Sequence, residues 1–93
     1  MYYIITYDVG EKRVNLVKKL LRTYLSWEQN SVLTGELSNL QITEIKDSLN
    51  KVVNKNEDHV MIFAIRSFKY IDRQDIGTPK SQMGEGGFFV WNL

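Results

Sequence analysis

The hydrophobic pattern of the first 25 residues predicts a strand followed by a helix. Residues 2–7 read YYIITY, a run of aromatic and β-branched residues that is largely apolar on both alternating sides. Such a run predicts a central strand that is covered on both faces. From Glu11 to Leu25 the apolar residues instead recur at helical spacing, with Lys and Arg on the rest of the circumference. The recurring apolar positions are Val14, Val17, Leu21, Tyr24 and Leu25.

The rest of the domain predicts further strands and a second helix. Residues 27–37 predict either one bent strand or a very tight hairpin, with Asn30-Ser31 at the turn and Gly35 at a bulge or bend. Ser38 and Gln41 have the spacing of a capping box at the start of a second helix. Its apolar stripe is Ile42, Ile45, Leu49, Val52 and Val53. Residues 59–68 predict a buried strand, and residues 69–77 an edge or return strand.

This order of elements predicts the fold class. It is α+β, and it matches the ferredoxin-like βαββαβ sandwich, with one antiparallel sheet and two helices on one face. We expect one domain over residues 1–76. Residues 77–93 then form a glycine-rich flexible tail that ends in a strand, Phe88–Trp91. An exposed aromatic strand invites aggregation, so we expect it to pair with a sheet edge of its own domain, of a second copy or of another protein.

Composition narrows the function classes. Ninety-three residues bury a small core, which favours assembly with a second copy. The chain has no cysteine, which excludes disulfides and thiolate metal sites. No stretch is apolar and long enough to span a membrane, and no secretion signal opens the chain, so we expect a cytoplasmic protein without a membrane partner.

Asp8 is the first candidate for chemistry, because it stands where the first strand is expected to end. Its spacing to Glu11 favours a role as a helix N-cap. The alternative is a ligand for Mg²⁺, which takes one or two carboxylates and keeps several waters.

Tyr7 is expected in the core. His59, the single histidine, is expected to be structural or solvent-exposed rather than a general base.

Positive charge is concentrated in the first helix, although the net charge is only +1. These residues are candidates for binding nucleic-acid phosphates, while a solvated helix face is the competing interpretation. Gly10 at the helix start adds a backbone N–H that favours phosphate. The candidate residues are Lys12, Arg13, Lys18, Lys19 and Arg22. Trp27 and Trp91 are candidates for base stacking, with packing in a core or an interface as the commoner role.

The segment YDVGEKRVNLVKKLLRTYLSWEQNSVLTGEL, followed by the capped helix and EDHVMIFAI, resembles a family of small CRISPR-associated proteins, the endoribonuclease or adaptor partner of the CRISPR integrase. The resemblance runs from residue 1 to about residue 77. It implies a ferredoxin-like homodimer with Asp8 of each subunit at the two-fold axis, and a Mg²⁺-dependent endoribonuclease or endonuclease activity on RNA or DNA. It also implies an adaptor role in spacer acquisition, in which the dimer bridges integrase dimers and its basic surface contacts the DNA backbone.

Two positions depart from the family pattern. Leu33 stands where a phenylalanine is common, and Glu28 brings a negative charge to a segment that is usually basic or apolar. Three functions remain open on the sequence alone: an integration adaptor, a metal-dependent phosphodiesterase, and a stand-alone toxin-like ribonuclease on the same fold.

Overall fold

A computed structural model describes residues 1–82 of the 93-residue chain. The elements are β1 (Tyr2–Asp8), α1 (Glu11–Tyr24), β2 (Ser26–Gln29), β3 (Val32–Glu36), α2 (Asn39–Val52) and β4 (His59–Ile65). Two short 3-10 turns follow at Phe68–Tyr70 and Lys80–Gln82. The predicted terminal strand, Phe88–Trp91, lies outside the described residues.

The four strands form one antiparallel sheet in the order β2-β3-β1-β4. β1 is central and pairs with β4 along its whole length, from Tyr2 opposite Ile65 to Asp8 opposite His59. Buried residues of both helices join those of the sheet in a single core. The α+β ferredoxin-like architecture predicted from the sequence is therefore confirmed.

The core lies on one face of the sheet only. In β1, Tyr3, Ile5 and Tyr7 are buried, whereas the residues between them are half-buried. Opposite them, Val17 and Leu21 of α1 and Ile45 of α2 are fully buried. The expectation that β1 is covered on both faces is thus wrong, because both helices pack on the same side. The other side, which we call the open face, carries the alternate residues of each strand.

β4 is an edge strand, and the prediction that it is buried is wrong. None of its seven residues is buried, and Met61 and Phe63 are 43% and 50% exposed. These two side chains lie on the open face, since they pair with Thr6 and Ile4 of β1. Residues 69–77 form the 3-10 turn and irregular backbone rather than the predicted edge strand.

Residues 27–37 form the tight hairpin rather than one bent strand. Asn30 and Ser31 make the two-residue turn, with Asn30 in the left-handed region at φ 42°. The Trp27 Nε1–H donates to the Asn30 carbonyl oxygen at 2.8 Å and closes the turn. The irregular register lies between Trp27 and Gln29, not at Gly35. Gly35 instead allows a close approach, because an added Cβ would lie 3.1 Å from Cδ2 of Leu25.

The predicted capping box of α2 is confirmed. The Ser38 hydroxyl accepts from the Gln41 N–H at 3.1 Å, and the Gln41 side chain accepts from the Ser38 N–H at 2.9 Å. Both departures from the family pattern also have structural roles: Leu33 is fully buried, and Glu28 accepts from Arg73 and Thr34. Neither helix in residues 1–82 is long and apolar enough to cross a membrane.

Candidate active site and basic helix face

Asp8 is the last residue of β1, and its side chain is exposed. It does not cap α1, so that interpretation is wrong. The helix N-cap is Gly10, and it makes no side-chain capping bond. Asp8 therefore lies two residues before the position that a cap requires. Among residues 1–82 the Asp8 carboxylate makes no hydrogen bond or ion pair, so it is available to bind a ligand.

The starts of two other strands flank Asp8. On one side the Tyr7 N–H donates to the Ser31 carbonyl oxygen at 3.1 Å, and Asp8 shares a cavity of about 280 Å³ with Asn30 and Ser31. On the other side His59 is the register partner of Asp8. Residues directly opposite each other in an antiparallel pair project from the same face, with Cβ atoms about 4.5–5.5 Å apart. Asp8 and His59 therefore lie side by side on the open face.

The residue before Asp8 is part of the core, as predicted. Tyr7 is 8% exposed and belongs to the buried cluster beneath the helices. Burial raises the pKa of its phenol, and the nearby positive charge of Arg22 opposes that rise. Neighbouring residues of a strand face opposite sides, so Tyr7 belongs to the core and Asp8 to the open face, and both residues line the cavity at the end of β1.

A buried carboxylate holds the backbone just after Asp8. The Asp58 side chain is fully buried and accepts hydrogen bonds from the N–H of Gly10 and of Asn54, both at 2.8 Å. Arg13 donates to it through both Nε and Nη2, and also pairs with Glu57 at 2.9 Å. The phosphate site expected near Gly10 is thus occupied by the chain's own Asp58. Nucleic-acid contact by Arg13 stays a prediction, and its present partners are two carboxylates.

Of the other four predicted cations of α1, Lys12 and Lys19 are exposed, whereas Lys18 and Arg22 are half-buried. Lys18, Lys19 and Arg22 line a shallow depression of about 330 Å³ with Asn15 and Thr23. Lys12 lies two turns before Lys19, at the i,i+7 spacing of one helix face. We call Lys12, Lys18, Lys19 and Arg22 the basic face. Its orientation is set by Val17 and Leu21, which are fully buried on the opposite side of the helix.

Arg22 is held at the end of this face by an aromatic ring. Its guanidinium carbon lies 5.2 Å from the ring centroid of Trp27, within the range of a cation–π contact. Trp27 in turn closes the β2–β3 turn through Asn30. Trp27 is therefore engaged in packing, and Trp91 lies outside the described residues.

The described part of one chain supplies too few side-chain ligands to surround a metal ion, so an ion bound here would keep most of its water ligands. Within residues 1–82 no three His, Cys, Asp or Glu side chains converge into a group that could hold a metal ion. Mg²⁺ takes one or two carboxylates and keeps several waters, so the exposed Asp8 carboxylate fits that ion. Supply of a second Asp8 by a second copy stays a prediction.

Sequence reasoning missed two features of this site, the buried Asp58 and the pairing of His59 with Asp8. Asp58 is 45 residues from Arg13 along the chain, a separation that no local pattern bridges. The position of His59 depends on the register of β1 with β4. The sequence carried no clear signal for it, because the strands predicted over residues 2–7 and 59–68 differ in length, whereas both strands of the structure have seven residues.

Comparison with known proteins gives a consistent result. A family model described as CRISPR associated protein Cas2 matches residues 1–72. The chain is 43% identical over 81 residues to the CRISPR-associated endoribonuclease Cas2 of Methanosarcina acetivorans, covering 87% of this chain and 93% of that protein. It is 42% identical over 85 residues to the protein of that name from Pyrococcus furiosus, covering 91% and 98% of the two chains.

Solved structures agree with this match. A Cas2 crystal structure superposes with a TM-score of 0.79 at 46% identity, covering 87% of this chain and 91% of the other. Streptococcus pyogenes Cas2 superposes with a TM-score of 0.68 at 23% identity, covering 81% of this chain and all of the other. At that lower identity the likeness shows the fold alone.

Proposed function

This chain belongs to the CRISPR-associated Cas2 family, and from that premise we propose that it acts in spacer acquisition as a dimeric DNA-binding adaptor for the CRISPR integrase. The observation that supports this role is the basic face of α1. It presents four cations on one side of a helix whose other side is buried in the core. An adaptor needs such a surface on a rigid element, because it must hold DNA at a fixed position relative to its partners.

The chemistry of the basic face suits phosphates rather than base edges. Lys18 and Lys19 line a shallow depression on the surface of a regular helix, a position that suits contact with a DNA backbone rather than entry into a groove. Interactions of this kind carry no sequence preference, and they weaken as salt rises, because each displaces condensed counterions. A protein that binds foreign DNA of any sequence needs contacts that do not depend on the base sequence.

The experiment measures the affinity for duplex DNA as a function of salt. In the double variant Lys18→Glu and Lys19→Glu we expect weaker binding at every salt concentration. The slope of log K against log salt should become shallower by about 0.9 for each DNA phosphate that the variant no longer neutralises. The matched control is Lys46→Glu with Lys51→Glu, which makes the same change in net charge on exposed positions of α2. Equally weakened binding in both variants would show a net-charge effect and contradict the basic face as the DNA surface.

A second activity, Mg²⁺-dependent cleavage of RNA or DNA, is supported by the exposed Asp8 carboxylate. The relatives named above are called endoribonucleases. Asp8 would hold the ion, which when bound neutralises phosphate charge and lowers the pKa of water. The chain itself contributes a carboxylate on a restrained backbone: the β1–β4 ladder ends at Asp8, and the bond from Gly10 to Asp58 restrains the backbone that follows.

Asp8→Asn tests this activity, because the amide keeps the shape of the side chain and removes its charge. We expect cleavage in Mg²⁺ to fall by about 100-fold or more, since metal-assisted charge stabilisation contributes several kcal/mol. Asp47→Asn on the exposed side of α2 is the control and should cleave like wild type. Equal Mg²⁺-dependent cleavage by wild type and Asp8→Asn would remove Asp8 from catalysis.

An integration assay with the integrase separates the two roles. We expect Asp8→Asn to support integration and the basic-face variant to fail. Cleavage of RNA that proceeds fully without integrase, together with normal integration by the basic-face variant, would favour the stand-alone toxin-like ribonuclease instead.

A further inference from the structure

The single histidine of the chain stands directly opposite the candidate metal ligand. His59 begins β4, Asp8 ends β1, and the two are register partners on the open face. The sequence has no cysteine, so His59 supplies the single imidazole, and no thiolate competes with it as a ligand for transition metals. Its placement beside Asp8 brings a nitrogen donor next to a carboxylate.

Both backbones at this point are restrained. Asp58, which precedes His59, accepts the N–H of Gly10, two residues after Asp8, at 2.8 Å. The same carboxylate accepts hydrogen bonds from Asn54 and Arg13. The buried Asp58 side chain therefore links the end of β1 to the start of β4. The spacing of the two residues along their backbones is thus set by a sheet ladder and by a buried carboxylate. A site for a small ion requires this precision of its ligands.

The two side chains are also unoccupied by other contacts of the described chain. Asp8 and His59 are exposed, and within residues 1–82 neither makes a side-chain hydrogen bond or ion pair. The Asp58 carboxylate, by contrast, accepts hydrogen bonds from three other residues. The carboxylate that the fold needs is therefore buried and bonded, whereas the carboxylate and imidazole beside it remain open to solvent.

We infer that His59 is a second metal ligand beside Asp8 and that the pair prefers a divalent transition metal, such as Co²⁺, to Mg²⁺. This inference rests on the proposed metal site at Asp8. Mg²⁺ selects oxygen ligands and gains little from an imidazole, whereas first-row transition ions bind imidazole and carboxylate together. A dimer with both Asp8 residues at its two-fold axis would supply two carboxylates and two imidazoles to one ion.

The test measures metal affinity in tag-free protein, so that His59 supplies the sole imidazole. Co²⁺ is titrated by its visible absorption and Mg²⁺ by calorimetry, in wild type, His59→Phe and Asp8→Asn. The phenyl ring keeps the volume of the imidazole and removes its nitrogens, and its exposed position makes unfolding an unexpected outcome. We expect His59→Phe to weaken Co²⁺ binding by roughly tenfold or more and to leave Mg²⁺ binding within about twofold.

A direct signature comes from pulsed electron paramagnetic resonance of bound Cu²⁺, an ion that binds imidazole well. Wild type should show coupling to an imidazole ¹⁴N, and His59→Phe should show none. Unchanged Co²⁺ affinity in His59→Phe, or no ¹⁴N coupling in wild type, overturns the inference about His59. If the His59 result is negative but Asp8→Asn loses both metals, the proposed metal site at Asp8 is still supported. Retention of both metals in Asp8→Asn overturns the site and this inference together.

Discussion

At the scale of single residues, Asp58 does the most to organise this end of the molecule. Its hydrogen bonds from the Arg13 guanidinium, joined by those from the N–H of Gly10 and Asn54, lower the pKa of the Asp58 carboxyl well below its usual value, although burial opposes the shift. The same pairing raises the pKa of Arg13, with Glu57 contributing less. A buried carboxylate with this many donors is costly to unpair, because each donor would lose its partner in a site without water.

Asp58→Asn is therefore predicted to destabilise the fold. The amide cannot accept on both sides of the carboxylate, and it removes the charge that Arg13 neutralises. We expect the melting temperature to fall by roughly 10 °C. Asp47→Asn, an exposed position on α2, should leave it within about 2 °C. Thermal melts followed by circular dichroism at one protein concentration measure both, and equal melting of the two variants would contradict the structural role.

The pKa of Asp58 also predicts a pH dependence. A carboxyl whose pKa is lower in the folded than in the unfolded protein stabilises the fold above its unfolded pKa of about 3.9. That stabilisation declines as pH falls from there toward the folded value. Urea unfolding of wild type between pH 6 and pH 3 should show a loss of stability below about pH 4. In Asp58→Asn this loss should be smaller, and an identical pH profile would assign the acid sensitivity to other carboxyls.

At the scale of elements, the ends of the helices decide how precisely the strands are placed. α2 starts with a complete capping box, whereas α1 starts at Gly10 with no side-chain cap and relies on the Arg13–Asp58 pair nearby. The two helix starts are thus stabilised differently. One is stabilised locally by Ser38 and Gln41, and the other by a tertiary contact.

Ser38→Ala is predicted to lower the free energy of unfolding by about 1 kcal/mol, because the Gln41 N–H loses its acceptor. Ser48→Ala within the same helix is the control. It should change stability by less than about 0.5 kcal/mol, since alanine is a better helix former than serine. Denaturant titrations measure both, and an equal effect of the two substitutions would show that the box contributes nothing.

The helices and the capping box were predictable, because their sequence patterns are local. The burial of each strand and its neighbours in the sheet were not predictable from such patterns. The helical stripes of α1 and α2 and the Ser38–Gln41 box depend on residues within a few positions of each other, so their pattern specified them. β4 has the composition of a buried strand but lies at the sheet edge, because sheet order is a property of the whole chain. For the same reason Asp8 was recognised as a candidate ligand while its neighbour His59 was not.

At the scale of the whole molecule, the open face is the large surface that the helices leave uncovered. Part of it forms a cavity of about 410 Å³ beneath the segment after β4, which Arg73 ties to Glu28 at 2.9 Å. The β4 side keeps Met61 and Phe63 exposed beside Asp8 and His59. The predicted homodimer, with Asp8 at its axis, requires burial of a surface that contains these residues.

Phe63→Glu is therefore predicted to break the dimer. A charge within an apolar part of the interface should weaken association by roughly 30-fold or more. Light scattering at tens of micromolar should give a dimer for wild type and a monomer for the variant. Leu40→Glu on α2 places the same charge at another exposed apolar residue and should remain dimeric. A monomeric wild type, or dissociation of both variants, would contradict an interface on the open face.

The central position of β1 has a consequence for synthesis of the chain. β1 is translated first, yet its two sheet neighbours are β3 and β4, and β4 ends at Ile65. A ribosome that adds about 5–20 residues per second needs roughly 3–11 s to proceed from Asp8 to Ile65. During that interval the nascent chain can pair β1 with β3, but the other edge of β1 stays open to chaperones or to neighbouring nascent chains. Codons that slow translation between β3 and β4 would lengthen this exposure, and codons that speed it would shorten it.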